Sequence, residues 1–196
     1  MLFPPAVEAA EIMPTSELEE LVETTTEKRD SYGEYPADWN VVIIDNRSEE
    51  EYQKGHINGA INMAADEAFA PCELPEDQDT KLIFYGQDAH DCVSEAKDEG
   101  YDNVYIYEAG VEAWDDEWGY LTTTPEYVAS LTDESHADDA DTDPYLIIDT
   151  RGFGMFVESH VPAAQAMEHT IFEEKYLDHM PADKETEIIT YCGGFF

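Results

Sequence analysis

The sequence predicts an α/β protein built as two copies of one domain, each a mostly parallel sheet flanked by helices, with the second copy incomplete. Three observations carry this. The stretch beginning at Val41, VVIIDNRSEEEYQKGHINGAINM, returns at Tyr145 as YLIIDTRGFGMFVESHVPAAQAM, so that Asp45, Arg47 and His56 recur as Asp149, Arg151 and His160. LPEDQDTKLIFYG likewise returns as MPADKETEIITYC, pairing Tyr85 with Tyr191. Finally, short unbroken apolar runs alternate with helical patterns, the signature of strands buried on both faces of a parallel sheet.

The elements follow in chain order. Residues 1–14 read as an N-terminal extension. Ser16 is a candidate N-cap with Glu19 placed for a capping box, which opens the first helix. Val41–Ile44 and Leu82–Tyr85 are the first two buried strands. Val93 to Gly100 is a helix ending on glycine, and Val104–Tyr107 is a third strand. Domain 1 is assigned to 15–122 and domain 2 to 123–196. Thr124-Pro125 opens the matching helix of the second copy, with proline suited to a first turn. The acidic stretch Thr132–Pro144 precedes its first core strand, Leu146–Ile148, and Ile188–Tyr191 is the second.

Composition excludes several functions. The chain has 196 residues, 47 acidic against 9 basic, and a formal net charge of -38. Such a surface repels phosphate backbones and anionic lipid, so neither nucleic acid nor membrane is expected as a partner. Self-repulsion on this scale points to a salt-rich milieu or to cationic partners. No apolar run reaches a membrane span, and the first residues lack the basic and apolar regions of a signal peptide. Three cysteines, Cys72, Cys92 and Cys192, show no paired spacing, which argues against a disulfide framework or a zinc site and for a reducing, cytoplasmic location. No cofactor and no metal are expected, and the oligomeric state is open.

Each copy resembles a rhodanese (sulfurtransferase) domain, and the pair resembles a tandem rhodanese. The resemblance rests on Asp45-Asn-Arg47, Glu51-Tyr52-x-x-Gly55-His56-Ile57-x-Gly59-Ala60 and Gly110-x-x-x-Trp114 in copy one. In copy two it rests on Asp149-Thr-Arg151 and Phe156-x-x-x-His160-Val161-Pro162-Ala163-Ala164. The resemblance implies a nucleophilic cysteine directly after the central strand, opening a loop whose backbone amides cradle an anion and favour thiolate. That thiolate would take a sulfane sulfur from a donor such as thiosulfate and pass it to cyanide or a thiol.

The two copies differ at that position. Copy one has Gly86, so it is expected to be inactive; Cys92 is read as a partly buried structural thiol and Cys72 as a bystander. Copy two has Cys192, the expected nucleophile, followed by Gly193, Gly194 and Phe195, which with Arg151 are the expected substrate-binding residues. Two departures stand against this reading. Some tandem rhodaneses carry an anion-binding arginine four residues after the Asp-x-Arg arginine, where this chain has Met155. Copy two also has no counterpart of Val93 through Leu121, so a poor sulfurtransferase is expected of the chain as written. The alternative is a non-catalytic rhodanese module for partner binding or regulation, on the strength of Gly86 and the incomplete second copy. A phosphatase or arsenate reductase of this fold would need Cys-x5-Arg, and copy one has Cys92 where that arginine would stand. His56 and His160 are expected to order their turns by hydrogen bonds, and Asp45, Arg47, Asp149 and Arg151 to form structural ion pairs. Glu49-Glu50-Glu51 is expected to be a solvated face.

Overall fold

In a computed structural model, residues 10–26, 40–64, 74–87, 89–118, 120–133 and 144–193 are described. They divide into two compact units, 1–127 and 128–196.

In the first unit five parallel strands are β1 (Glu11–Ile12), β2 (Val41–Asp45), β3 (Ile61–Asn62), β4 (Lys81–Tyr85) and β5 (Val104–Ile106), in the order β1-β5-β4-β2-β3. The helices are α1 (Thr15–Thr26), α2 (Glu49–Lys54), α3 (Ala89–Asp98) and α4 (Gly110–Trp118). Side chains of a strand alternate between faces, so β2 and β4 feed two cores at once. Val41, Ile43, Ile83 and Tyr85 join Leu18 and Val22 of α1 and Trp114 of α4 on one face. Val42, Ile44, Leu82 and Phe84 meet Ala89, Cys92, Val93 and Ala96 of α3 on the other. Each fully buried Leu, Ile or Phe contributes roughly 1.5–3 kcal/mol, which is why both faces of so short a sheet must be covered.

The start of the chain departs from expectation. Glu11 and Ile12, inside the range read as an extension, pair with Tyr105 and Ile106 of β5. Met13, only 2% exposed, belongs to the core. Ser16 is not the N-cap: the Pro14 carbonyl accepts from Leu18 N at 3.0 Å, so the helix begins at Thr15. Proline's fixed φ suits this entry, and Thr15 spends its hydroxyl on Tyr107 Oη at 3.2 Å instead of capping. The capping box lies elsewhere, at Ser48 and Glu51 on α2, where Ser48 Oγ accepts from Glu51 N and the Glu51 side chain accepts from Ser48 N. Its S-x-x-E signature was present in the acidic run read as a solvated face.

The second unit repeats the central part. β6 (Tyr145–Asp149), β7 (Gln165–Ala166) and β8 (Glu187–Tyr191) form a parallel sheet in the order β7-β6-β8, matching β3-β2-β4 of the first unit. The helix α5 (Pro125–Thr132) starts as expected, with Thr124 Oγ1 accepting from Tyr127 N at 3.3 Å. α6 (Phe153–Glu158) is the counterpart of α2, and α7 (Phe172–Lys175) follows β7. Leu146, Ile148 and Met167 form a small core with Phe172, Tyr176 and Met180 packed on it. The expectation that 188–191 is buried on both faces is corrected. Ile189 is buried, but Ile188 is 46% exposed and Thr190 is exposed as well, whereas their counterparts Leu82 and Phe84 lie under α3. Among the described residues of this unit no helix takes the place of α3.

Both units make the same tight turn before the short strand. Ala60 N donates to Ile57 O at 2.9 Å and Ala164 N to Val161 O at 3.0 Å. The third residue of each turn has positive φ, Gly59 at 95° and Ala163 at 63°. Glycine takes this conformation without strain, whereas alanine does not. Replacement of Ala163 by glycine is therefore expected to stabilise the second unit by about 0.5–1 kcal/mol. Hydrogen exchange of the β6 amides would read this, and unchanged or faster exchange would refute it.

Candidate active site

At the C-terminal end of β2, Asp45 is completely buried, a position no isolated carboxylate could hold. Its partners neutralise it. Arg47 Nε donates to Oδ1 at 3.0 Å, Arg47 Nη2 to Oδ2 at 2.6 Å, Arg47 N to Oδ1 at 2.9 Å, and Tyr85 Oη to Oδ2 at 2.8 Å. The network continues outward: Arg47 Nη2 donates to Gly55 O at 2.6 Å, and Ile57 N donates to Tyr85 Oη at 3.2 Å. One carboxylate thus ties the ends of β2 and β4 to the loop after α2. Burial raises the Tyr85 phenol well above its ordinary value, reinforced by the charge and hydrogen bond of Asp45, so it remains a donor at neutral pH.

The second unit repeats this set almost atom for atom. Arg151 Nε and Nη2 donate to Asp149 at 2.9 and 2.6 Å, Tyr191 Oη donates at 2.7 Å, Arg151 Nη2 reaches Ser159 O at 2.7 Å, and Val161 N reaches Tyr191 Oη at 3.1 Å. Hydrogen bonds from Arg151 lower the Asp149 carboxyl to about 2, against the opposing effect of burial and with the help of Tyr191. The histidines behave as expected. His56 Nδ1 donates to Tyr52 O at 2.8 Å and His160 Nδ1 to Phe156 O at 2.9 Å, since a carbonyl can only accept. Each ring stacks on the aromatic ring four residues earlier, with centroids 3.9 Å apart.

These networks position the residues that follow β4 and β8. In unit one that residue is Gly86, on the wall of a cavity of about 530 Å³ that Arg47, Glu51, Gln87, His90 and Glu108 also line. Gly86 has φ +114°, and a Cβ there would lie 3.0 Å from Arg47 N and 3.2 Å from Asn46 C. The position after β4 in the first unit therefore carries no nucleophile and has no room for one without backbone movement. Cys92, 2% exposed within α3, packs in the apolar core. His90 Nε2 stands 3.8 Å from Glu108 Oε1 at the cavity rim, both half or more exposed.

In unit two Cys192 directly follows Tyr191, and its thiol is exposed. Thr150 N and Thr150 Oγ1 both donate to Tyr191 O, at 3.0 and 2.9 Å, which pins the strand end that carries the cysteine. The Arg151 guanidinium lies 5.4 Å from the centre of the Tyr191 ring, at the end of the strand that Cys192 follows. Arg151 reaches Asp149 and Ser159 by hydrogen bonds, which makes it a support of the strand end. Gly193 is described and exposed; Gly194, Phe195 and Cys72 lie outside the described residues. Among the described residues no group of three or more His, Cys, Asp and Glu could hold a metal, and no helix is long and apolar enough to cross a membrane.

The family model for the rhodanese-like domain matches residues 29–117 and 129–195. No curated protein matches. Among solved structures, the chain is similar to an anaerobic ergothioneine biosynthesis enzyme from Chlorobium limicola. The identity is 19% and the TM-score 0.47, over 86% of this chain and 43% of that one. It is also similar to a single-domain sulfurtransferase, RDL2, of Saccharomyces cerevisiae, at 20% identity and TM-score 0.42, over 60% of this chain and 96% of that one. The chain thus spans less than half the length of the first of these proteins.

Two outcomes test this geometry. The Asp149 carboxyl is held at about 2, against an ordinary value of 3.8, so its stabilisation is complete above about pH 4 and is lost as the pH falls towards 2. The stability difference between the wild type and Asp149→Asn, read by hydrogen exchange in the second unit, should be flat above that range and shrink below it; a constant difference would refute the assignment. Gly86→Cys should destabilise the first unit by about 1 kcal/mol or more, read as a lower urea midpoint of tryptophan fluorescence. An unchanged midpoint would show that the loop accepts a side chain.

Proposed function

The chain belongs to the rhodanese-like domain family, and from that premise we propose that it transfers sulfane sulfur through a persulfide on Cys192, with the first unit serving as a non-catalytic partner domain. The single observation that carries this is the exposed Cys192 at the end of β8, held by the same Asp-Arg-Tyr network that in the first unit ends on Gly86.

The chemistry is a two-step displacement. The Cys192 thiolate attacks the outer sulfur of thiosulfate; the S–S bond breaks, sulfite leaves with the electron pair, and Cys192 carries the persulfide. Cyanide or a thiolate then attacks the terminal sulfur and restores the Cys192 thiolate. Gly193, Gly194 and Phe195 are the proposed substrate-binding residues, the glycines because they leave backbone amides free to turn towards an anion. Arg151 acts by fixing Tyr191 and by placing a positive charge near the strand end, with its direct bonds going to Asp149 and Ser159. The expected partners are a small sulfur donor and a thiol or cyanide acceptor, in a reducing, cytoplasmic setting.

Gly86 favours a division of labour over two active sites, because its positive φ and close contacts exclude a nucleophile from unit one. After exposure to thiosulfate or a small-molecule persulfide, cyanide-labile sulfur should appear on the Cys192 peptide by mass spectrometry. It should fall by about two orders of magnitude in Cys192→Ser. Sulfur carried equally by the variant, or found on Cys72 or Cys92, would defeat the proposal.

A further inference from the structure

The cavity of the first unit gives an internal template for the surroundings of Cys192. Six of its lining residues have counterparts in the second copy: Arg47, Glu51, Tyr85, Gly86, Gln87 and His90. By the repeat they correspond to Arg151, Met155, Tyr191, Cys192, Gly193 and Phe196. Arginine and tyrosine are kept, and they form the structural network. Gly86 becomes the cysteine. The three remaining polar liners, a glutamate, a glutamine and a histidine, become methionine, glycine and phenylalanine. In a chain with 47 acidic residues, the loss of all three of these polar side chains runs against the composition.

The structure extends the pattern across α6. Phe153 is 65% exposed, Met155 49% and Val157 64%, whereas the matching positions on α2 are Glu49, Glu51 and Gln53. The template also bears on whether this face is buried by the rest of its own domain. In the first unit, with five strands and a helix over each face, Glu49 and Glu51 remain exposed. These positions therefore belong to the surface of the fold, and at Glu51 to the wall of its cavity. An apolar side chain there meets solvent or a ligand, and exposed apolar area of this kind marks binding surfaces.

We infer that Met155 and its neighbours on α6 form an apolar collar around Cys192 that selects an uncharged, apolar organic persulfide as sulfur donor over the thiosulfate dianion. The inference rests on the Cys192 persulfide reading and specifies its substrate class. The transfer balances as Cys192–S⁻ plus R–S–SH giving Cys192–S–SH plus R–S⁻. The donor S–S bond breaks, its inner sulfur leaves with the electron pair, and no outside oxidant or reductant is consumed. The net charge of -38 acts in the same sense, because it raises the cost of bringing a dianion to the site.

The test uses the chain as it is and reads Cys192 alone, with Cys72→Ser as background and the modified peptide identified by mass. Second-order rates of Cys192 with the neutral aromatic 2,2′-dithiodipyridine and with the neutral, polar hydroxyethyl disulfide are compared at about 1 M KCl, which screens the overall charge. Met155→Gln is expected to slow the aromatic reagent about fivefold while changing the polar one less than twofold. Met155→Glu should go further and also lower the yield of persulfide from an aromatic hydropersulfide relative to that from thiosulfate. Equal effects on both reagents, or none, would overturn the inference. Retained selectivity without cyanide-labile sulfur from any donor would instead overturn the persulfide reading and leave the collar as an apolar binding site.

Discussion

A buried carboxylate at the end of the first core strand is the constraint on which both units depend. Asp45 and Asp149 are wholly buried, and breaking such an ion pair by removing one partner typically costs about 3–5 kcal/mol. Each is neutralised by an arginine two residues later and a tyrosine from the neighbouring strand. Because the partners come from different elements, satisfying the charge fixes the register of the strand pair, the entry of the following helix and the turn beyond it. The residue after the tyrosine is consequently delivered to one place in both units. That residue is Gly86 in the first unit and Cys192 in the second.

This separation of frame and chemistry explains how the two copies diverged. The frame has little freedom, since loss of any member strands a buried charge. The strand-end position has much more. In the first unit it is occupied by a glycine whose backbone conformation does not suit a side chain. In the second it is an exposed cysteine.

Much of this was legible in the sequence, and the exceptions have physical causes. The repeat of Asp-x-Arg and histidine at matched spacing located the two ion pairs and the histidine turns, and the unbroken apolar runs located the core strands, because both signals are carried by residues close together in the chain. The partnership of Asp45 with Tyr85 spans 40 positions and was not legible: the repeat aligns Tyr85 with Tyr191 without joining either to its aspartate. Glu11 and Ile12 were missed as a strand because two residues carry no periodicity, and pairing with β5 is a tertiary event. Ser16 was misread because Thr15 and Pro14 gave the helix an earlier start. The apolar run at Ile188 alone reads as a strand covered on both faces; its exposure follows from the missing counterpart of Val93 through Leu121, since cover is supplied by other elements.

The strand order of the first unit has a consequence for the time course of folding. β1, the first strand among the described residues, pairs with β5, joining Glu11 to Tyr105. During synthesis from the N-terminus, residues 11 and 12 are made before residues 104–106, so their hydrogen-bonding edge does not exist until most of the unit has followed. Closing so long a loop carries an entropic cost that local contacts cannot offset. Pairing of β1 therefore waits on β5, and until residue 106 is made Met13 lacks the carbonyl of Ile106 to which its amide donates at 2.8 Å.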